Sequence, residues 1–346
     1  MSEAKSFADK IKGIPMVFIL GLGRSGTTLL QSMLDAHPNV VAPPESKFIL
    51  LLYPRFHSIK KWTEKDIKAF VEALYIDPLF GRYWGMVNKG KLLQDALNIK
   101  DYADYATLCK LVCYHMRENK ENVSLISYKV PLFTIFAEKL QLIFPETKFI
   151  HLVRNPYDNL YSHIKSYNIG DVSFVNRQWL GYNSYVEGLK QASPSRYFTI
   201  QYENMVKDSE ASLKSISTFL DIEYSNVMLQ QKLGEYKNEK EFKQVHESLM
   251  VPVNTSNVGK WKGKLTEEQI ASTNAILGSY AKNKYGYENA ETQLSYSGFT
   301  VWKTRLTYKI WRGLTLFRYK SLNINLLYSA YKRWQKGDKL HIWNYF

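Results

Sequence analysis

The stretch Met16-Val17-Phe18-Ile19-Leu20-Gly21-Leu22-Gly23-Arg24-Ser25-Gly26-Thr27-Thr28-Leu29-Leu30 decides the fold. Its first five residues are a continuous apolar run, the pattern of a strand buried on both faces in a parallel sheet. Glycines bound the run. From Thr28 to Ala36, apolar Leu29, Leu30, Met33 and Leu34 recur at helical spacing, and the His37-Pro38-Asn39 turn stops that helix. Strand, glycine-rich turn and helix N-terminus together make an anion site. The helix dipole favours negative charge, and glycines let the backbone approach a ligand closely.

The same alternation runs outward. Val40-Val41 begins a short strand, Ser124–Tyr128 is a third, Thr147–Val153 a fourth and Arg196–Tyr202 a fifth. Helices are expected over Pro131–Phe144, from Asn155-Pro156 onward and over Ser209–Leu220. Residues 45–120 read as mostly helical, with loops near Pro78 and from Gly81 to Gly90. Strands alternating with helices imply an α/β fold on a central parallel sheet. The polar, turn-rich Asn289–Gly298 marks a boundary, giving a catalytic domain over 1–290 and a basic, aromatic helical extension over 291–346.

The loop departs from the nucleotide P-loop G-x-x-x-x-G-K-[ST] in one place: Thr27 stands where the lysine would reach the β- and γ-phosphates. The nearby cation is Arg24, inside the loop. A ligand with a shorter anionic chain than ATP follows. A P-loop nucleotide kinase remains an alternative, weakened by the missing lysine and by the lack of a magnesium-holding carboxylate strand.

Gly23-Arg24-Ser25-Gly26-Thr27-Thr28-Leu29-Leu30 resembles the 5′-phosphosulfate loop of sulfotransferases, which take their sulfonyl group from 3′-phosphoadenosine 5′-phosphosulfate (PAPS). Leu34-Asp35-Ala36-His37-Pro38-Asn39-Val40 is similar to the tyrosylprotein and carbohydrate branch. The resemblance implies a P-loop-like three-layer sandwich with a central parallel sheet and helical acceptor-side insertions. It implies donor contacts from Arg24, Ser25, Gly26, Thr27 and Thr28. Val153-Arg154-Asn155-Pro156-Tyr157-Asp158-Asn159-Leu160-Tyr161-Ser162 resembles the family's 3′-phosphate motif, an Arg at a strand end and a Ser eight residues on. The physics agrees: Arg154 offers a fork of donors and Ser162, two helical turns along, a hydroxyl on the same face. Tyr202-Glu203 is similar to the strand-end Tyr-Glu whose tyrosine contacts the nucleotide; a core tyrosine is the other reading. Pro252-Val253-Asn254 followed by Gly259-Lys260-Trp261 resembles the segment that closes over the donor, with Lys260 toward a phosphate. Gly259 replaces a serine there, and Ser166 stands where the family has a further Arg, with Lys165 beside it.

Sulfonyl transfer requires a base for the acceptor hydroxyl, cations for the developing charge and rigid positioning. The base candidate is Glu45, in Pro43-Pro44-Glu45-Ser46-Lys47, similar in place to the catalytic Glu of the tyrosylprotein branch; a helix N-terminal charge is the competing reading. The small-molecule branch uses a His in Lys-x-His-x-Pro. Tyr128-Lys129-Val130-Pro131 has no His, but Lys129 resembles the family's catalytic lysine, with Arg24 as the loop cation. Neither a metal nor nucleic acid is called for, and Cys109 and Cys113, one helical turn apart, read as a packed pair.

The net charge of +14 is uneven. Residues 301–346 carry ten basic side chains and one acid, hence +9, leaving +5 for the rest. Trp302, Leu306, Ile310, Leu314 and Phe317 recur at helical spacing among Lys303, Arg305, Lys309, Arg312 and Arg318. Such a helix either meets an anionic membrane or packs on the catalytic domain. No apolar run nears the ~20 residues of a membrane span, and no signal peptide is evident. The expectation is a cytoplasmic enzyme with peripheral membrane contact through 301–336 and a lipid- or sterol-like alcohol as acceptor. A saccharide or peptide tyrosine is the alternative acceptor, and a non-catalytic membrane or nucleic-acid binder the alternative outside enzymes. Aromatic Phe48, Tyr53, Trp62, Tyr75, Tyr83 and Trp84 suit an acceptor cleft or a core.

Overall fold

A computed structural model of the chain describes residues 3–75, 77, 80, 87–116, 122–167, 172–230 and 253–321. Its five strands are β1 (Met16–Leu20), β2 (Val40–Val41), β3 (Leu125–Lys129), β4 (Lys148–Val153) and β5 (Tyr197–Gln201), in the sheet order β2-β3-β1-β4-β5. The fold is α/β on a central parallel sheet, as the alternation of strands and helices predicts. The chain divides into two compact units, one formed by the described residues of Met1–Met16, Asn39–Val130 and Thr315–Phe346, the other by Val17–Pro38 and Pro131–Leu314.

In the first unit β2 runs parallel to β3, with Val40 opposite Leu125. Helices α1 (Glu3–Gly13), α2 (Thr27–Ala36, in the second unit), α3 (Phe48–Leu51), α4 (Tyr53–Phe56), α5 (Glu64–Leu74), α6 (Lys89–Ile99) and α7 (Tyr105–Tyr114) follow the chain. Thr63 opens α5 with a reciprocal capping box to Asp66, and Asn88 and Asp104 cap α6 and α7. Phe56, Trp62, Phe70 and Tyr105 form one edge-and-stack cluster. Phe48 and Trp62 are therefore core residues and not an acceptor lining, because their rings are filled in by neighbours. Tyr53 stacks on His57. Tyr83 and Trp84 lie outside the described residues. Cys109 and Cys113 are free, buried thiols of α7, and burial pushes both well up from the ordinary thiol range.

In the second unit β4 is the middle strand, parallel to both β1 and β5. Phe18 packs on Phe133, Phe144 and Phe149, and Phe149 stacks on Tyr197. The expected helix over Pro131–Phe144 splits into a 3-10 turn (Pro131–Phe136) and α8 (Ala137–Ile143). In that turn the Thr134 hydroxyl accepts from the Gly21 N–H and donates to the Gly21 carbonyl, pinning the start of the phosphate loop. Then come α9 (Pro156–Tyr167), α10 (Val172–Ala192), α11 (Tyr202–Lys207), α12 (Ser209–Leu220), α13 (Glu267–Tyr285) and α14 (Gly298–Ser321). Among the described residues, no helix is long and apolar enough to cross a membrane.

Candidate active site

The phosphate loop joins β1 to α2. Helix α2 begins without a side-chain cap or an acidic residue in its first turn, so the positive end of its dipole is left for a ligand. Gly26, its N-cap, has φ 95° and lies so close to Tyr202 that a Cβ there would sit 2.4 Å from the ring. Both reasons select glycine. Arg24 also takes the left-handed region, at φ 65°.

Helix α9 grips the loop from beneath. Asn159 Nδ2 donates to the Gly23 carbonyl (3.0 Å) and to Ser25 Oγ (3.1 Å), while Arg154 Nη1 donates to the Arg24 carbonyl (2.8 Å). Arg24 Nε in turn donates to Ser162 Oγ (3.1 Å). The motif residues of β1–α2 and of β4–α9, apart by 138 positions in the Arg24–Ser162 pair, thus form one cluster. Arg154 is buried, lies over the Tyr202 ring at 4.6 Å, and its Nη2 donates to the Asn257 carbonyl (2.7 Å). Its Nε is buried with no hydrogen-bond partner. Burial first, and the charge of Arg154 second, hold the Arg24 guanidinium below its ordinary value, while Tyr167 opposes them. Two guanidiniums drawn this close repel unless an anion joins them. His163 shares the cluster. Burial lowers it to about 4, against a partly compensating bond to the Asn159 carbonyl, so its imidazole is neutral near pH 7.

Thr27 is buried and Thr28 partly exposed in the first turn of α2. Lys260 is exposed and donates to Asn257 Oδ1 (3.2 Å). The turn that carries it hangs on Asp158, whose carboxylate accepts from the Gly259 N–H (2.7 Å) and the Trp261 N–H (3.1 Å), while Trp261 stacks on Tyr157. Gly259 has φ 70°, a left-handed value that glycine adopts without strain. Pro252 lies outside the described residues. Glu203 accepts from the Asn155 N–H (2.8 Å) and from the Tyr287 hydroxyl (2.7 Å), which ties down the β4–α9 corner. Sequence reasoning missed the roles of Asp158, Asn159 and Glu203, although all three stand inside the quoted motifs.

In the other unit, Glu45 follows β2 and Lys129 ends β3. They form an ion pair, with Lys129 buried and Glu45 partly exposed. Glu45 therefore serves as a partner for Lys129 and not as the first-turn charge of a helix; the helix begins at Phe48. The segment is braced by buried Asp77, which accepts from Ser46 Oγ (2.6 Å) and the Lys47 N–H (2.5 Å), and by the Tyr128 hydroxyl donating to the Ser46 carbonyl (2.8 Å). Burial lowers the Lys47 ammonium, against the pull of Asp77 and Glu45. His37 is structural: its Nε2 meets the Glu223 carbonyl at 2.9 Å. Among the described residues there is no metal-ligand cluster.

Residues 15–226 match the sulfotransferase family. The chain belongs to that family, so the enzyme class expected from the motifs is the right one. It is similar to protein-tyrosine sulfotransferase A of Caenorhabditis elegans, 22% identical over 271 residues, covering 76% of this chain and 65% of that protein. It is similar also to protein-tyrosine sulfotransferase 1 of Danio rerio, 26% identical over 265 residues, covering 73% of this chain and 67% of the relative. The chain thus spans about two thirds of the length of these relatives. Among solved structures, the sulfotransferase domain of the curacin biosynthetic pathway aligns with TM-score 0.54 at 20% identity, over 78% of this chain and 98% of that one. The sulfotransferase domain of the Synechococcus PCC 7002 olefin synthase aligns with TM-score 0.51 at 23% identity, over 73% and 88%. These likenesses establish the P-loop-like α/β fold.

Proposed function

We propose that the chain transfers a sulfonyl group from PAPS to the phenolic hydroxyl of a peptide tyrosine. The carrying observation is the cluster of Arg24, Arg154 and Ser162 beside the phosphate loop, with the Arg154 Nε buried and unbonded. A buried donor without an acceptor is costly, and a phosphate oxygen is the acceptor this site is built to receive. The donor set fits the group: loop N–H groups and Arg24 for the 5′-phosphosulfate, Arg154 and Ser162 for the 3′-phosphate, Tyr202 beside the nucleotide and Lys260 on the covering turn. The names of the relatives favour tyrosine over the lipid- or sterol-like alcohol expected from the tail, for which they offer no support.

PAPS, when bound, supplies the sulfonyl group and a phosphate leaving group. The chain supplies the rest. A Glu45 carboxylate oxygen takes the phenolic proton, and the two prolines before it restrict its approach. The buried Lys129 orients that carboxylate through their ion pair. Once Glu45 is protonated, the Lys129 charge is no longer neutralised and stabilises negative charge developing on the leaving oxygen. Asp77 and Tyr128 hold the backbone on which Glu45 stands.

Calorimetry with adenosine 3′,5′-bisphosphate against ATP and magnesium tests the donor assignment; ATP binding without bisphosphate binding overturns it. Transfer from PAPS to tyrosine peptides, sterols and saccharides, followed by mass spectrometry, tests the acceptor. Glu45→Gln should lower turnover by about 10²–10⁴-fold and leave bisphosphate affinity unchanged. Loss of bisphosphate affinity would move Glu45 out of the base role.

A further inference from the structure

Helix α14 has two faces with different fates. One face docks on α10: Arg177 donates to Thr304 Oγ1 (2.9 Å) and the Val301 carbonyl (2.6 Å), Phe174 meets Trp311 edge-on, and Arg312 lies over the Tyr185 ring. Tyr308 is buried in a notch that Gly181 opens; a Cβ at Gly181 would lie 2.0 Å from its hydroxyl. The opposite face carries Phe299, Trp302, Leu306, Ile310 and Leu314, which are between 44% and 72% exposed. Steps of three and four residues line them up along one side. Exposed Lys303, Arg305 and Lys309 flank this stripe. Gly298–Ser321 contains six basic and no acidic side chains.

We infer that this outward face of α14 is a docking surface for an anionic lipid bilayer. Charge complementarity selects the occupant: an apolar ridge with Trp and Phe, bordered by cations and without an acid, matches the acyl boundary beneath anionic headgroups. The α10 contacts fix the ridge pointing away from the domain, so it can lie in the interfacial plane without unfolding anything. Of the remaining basic tail, Lys332, Arg333 and Lys336 lie outside the described residues, and the inference does not rest on them. It is also independent of which hydroxyl is sulfated.

The test is cosedimentation of the full chain with vesicles of phosphatidylcholine, with and without phosphatidylserine. Binding is expected on phosphatidylserine vesicles and is reversed by salt. Trp302→Ser with Ile310→Ser, both exposed positions, should abolish it while far-UV circular dichroism and bisphosphate binding stay unchanged. Lys303→Gln with Lys309→Gln should weaken it roughly thirtyfold. A full chain that stays in the supernatant overturns the inference, whether residues 322–346 cover the ridge or a stripe-dependent dimer does. Binding that survives the Ser variant overturns it equally.

Discussion

Arg154 carries more separate duties than any other side chain of the loop cluster. Its two terminal nitrogens tie the loop and the covering turn together, its guanidinium lies over the Tyr202 ring, and its Nε is buried without an acceptor. A lysine keeps the charge but not the fork. Arg154→Lys should weaken bisphosphate binding about 10–100-fold, in line with about 1.5–3 kcal/mol for a charged hydrogen bond, as read by calorimetry. Gly26→Ala should destabilise the protein by about 2 kcal/mol or more in denaturant titration, from left-handed strain and the clash with Tyr202. Adding Tyr202→Ala should recover the part due to the clash. The motif residues Arg24, Arg154 and Ser162 are legible in sequence because the stretches that hold them resemble the sulfotransferase motifs, and local spacing agrees by setting them on a loop, a strand end and one helix face. That Arg24 bonds Ser162 is not legible, since two distant segments must first dock.

At the scale of elements, the turn over Gly259–Trp261 depends on one carboxylate of α9. Asn offers a single oxygen where Asp158 offers two. Asp158→Asn should therefore raise amide exchange at Gly259 and Trp261 by roughly tenfold or more, one charged bond being worth about 1.5–3 kcal/mol, and should lower bisphosphate affinity because Lys260 rides on the turn. The strands were readable to within a residue or two, since buried parallel strands are short apolar runs between turn residues. The split of Pro131–Phe144 was not, because it follows a tertiary bond from Thr134 to Gly21. Helix α13 went unread despite its Thr266–Gln269 capping box, and α1 was missed because its apolar positions are few and its sequence mostly polar.

For the whole molecule, His163 links the site to stability. Its folded value of about 4 lies below the ordinary 6.5. Between those values the unfolded chain binds a proton that the folded chain refuses, so stability falls as pH drops through that window and is complete above it. The loss amounts to about 3 kcal/mol, measurable as a falling urea midpoint, and His163→Gln should flatten it. The +14 charge proved a mixed signal. Arg24, Arg154, Lys129 and Lys260 stand in the sites described, whereas Lys303, Arg305 and Lys309 of α14 flank a ridge that packing alone does not explain.

The two thiols of α7 have a practical consequence. Both are buried, and burial keeps them protonated, so alkylating reagents should pass over them in the folded protein. The natural chain is therefore a silent background for site-directed labelling. A lone Lys303→Cys would carry a fluorophore to the edge of the α14 ridge, and maleimide should modify the folded variant once and the unlabelled parent not at all until denaturant exposes its core.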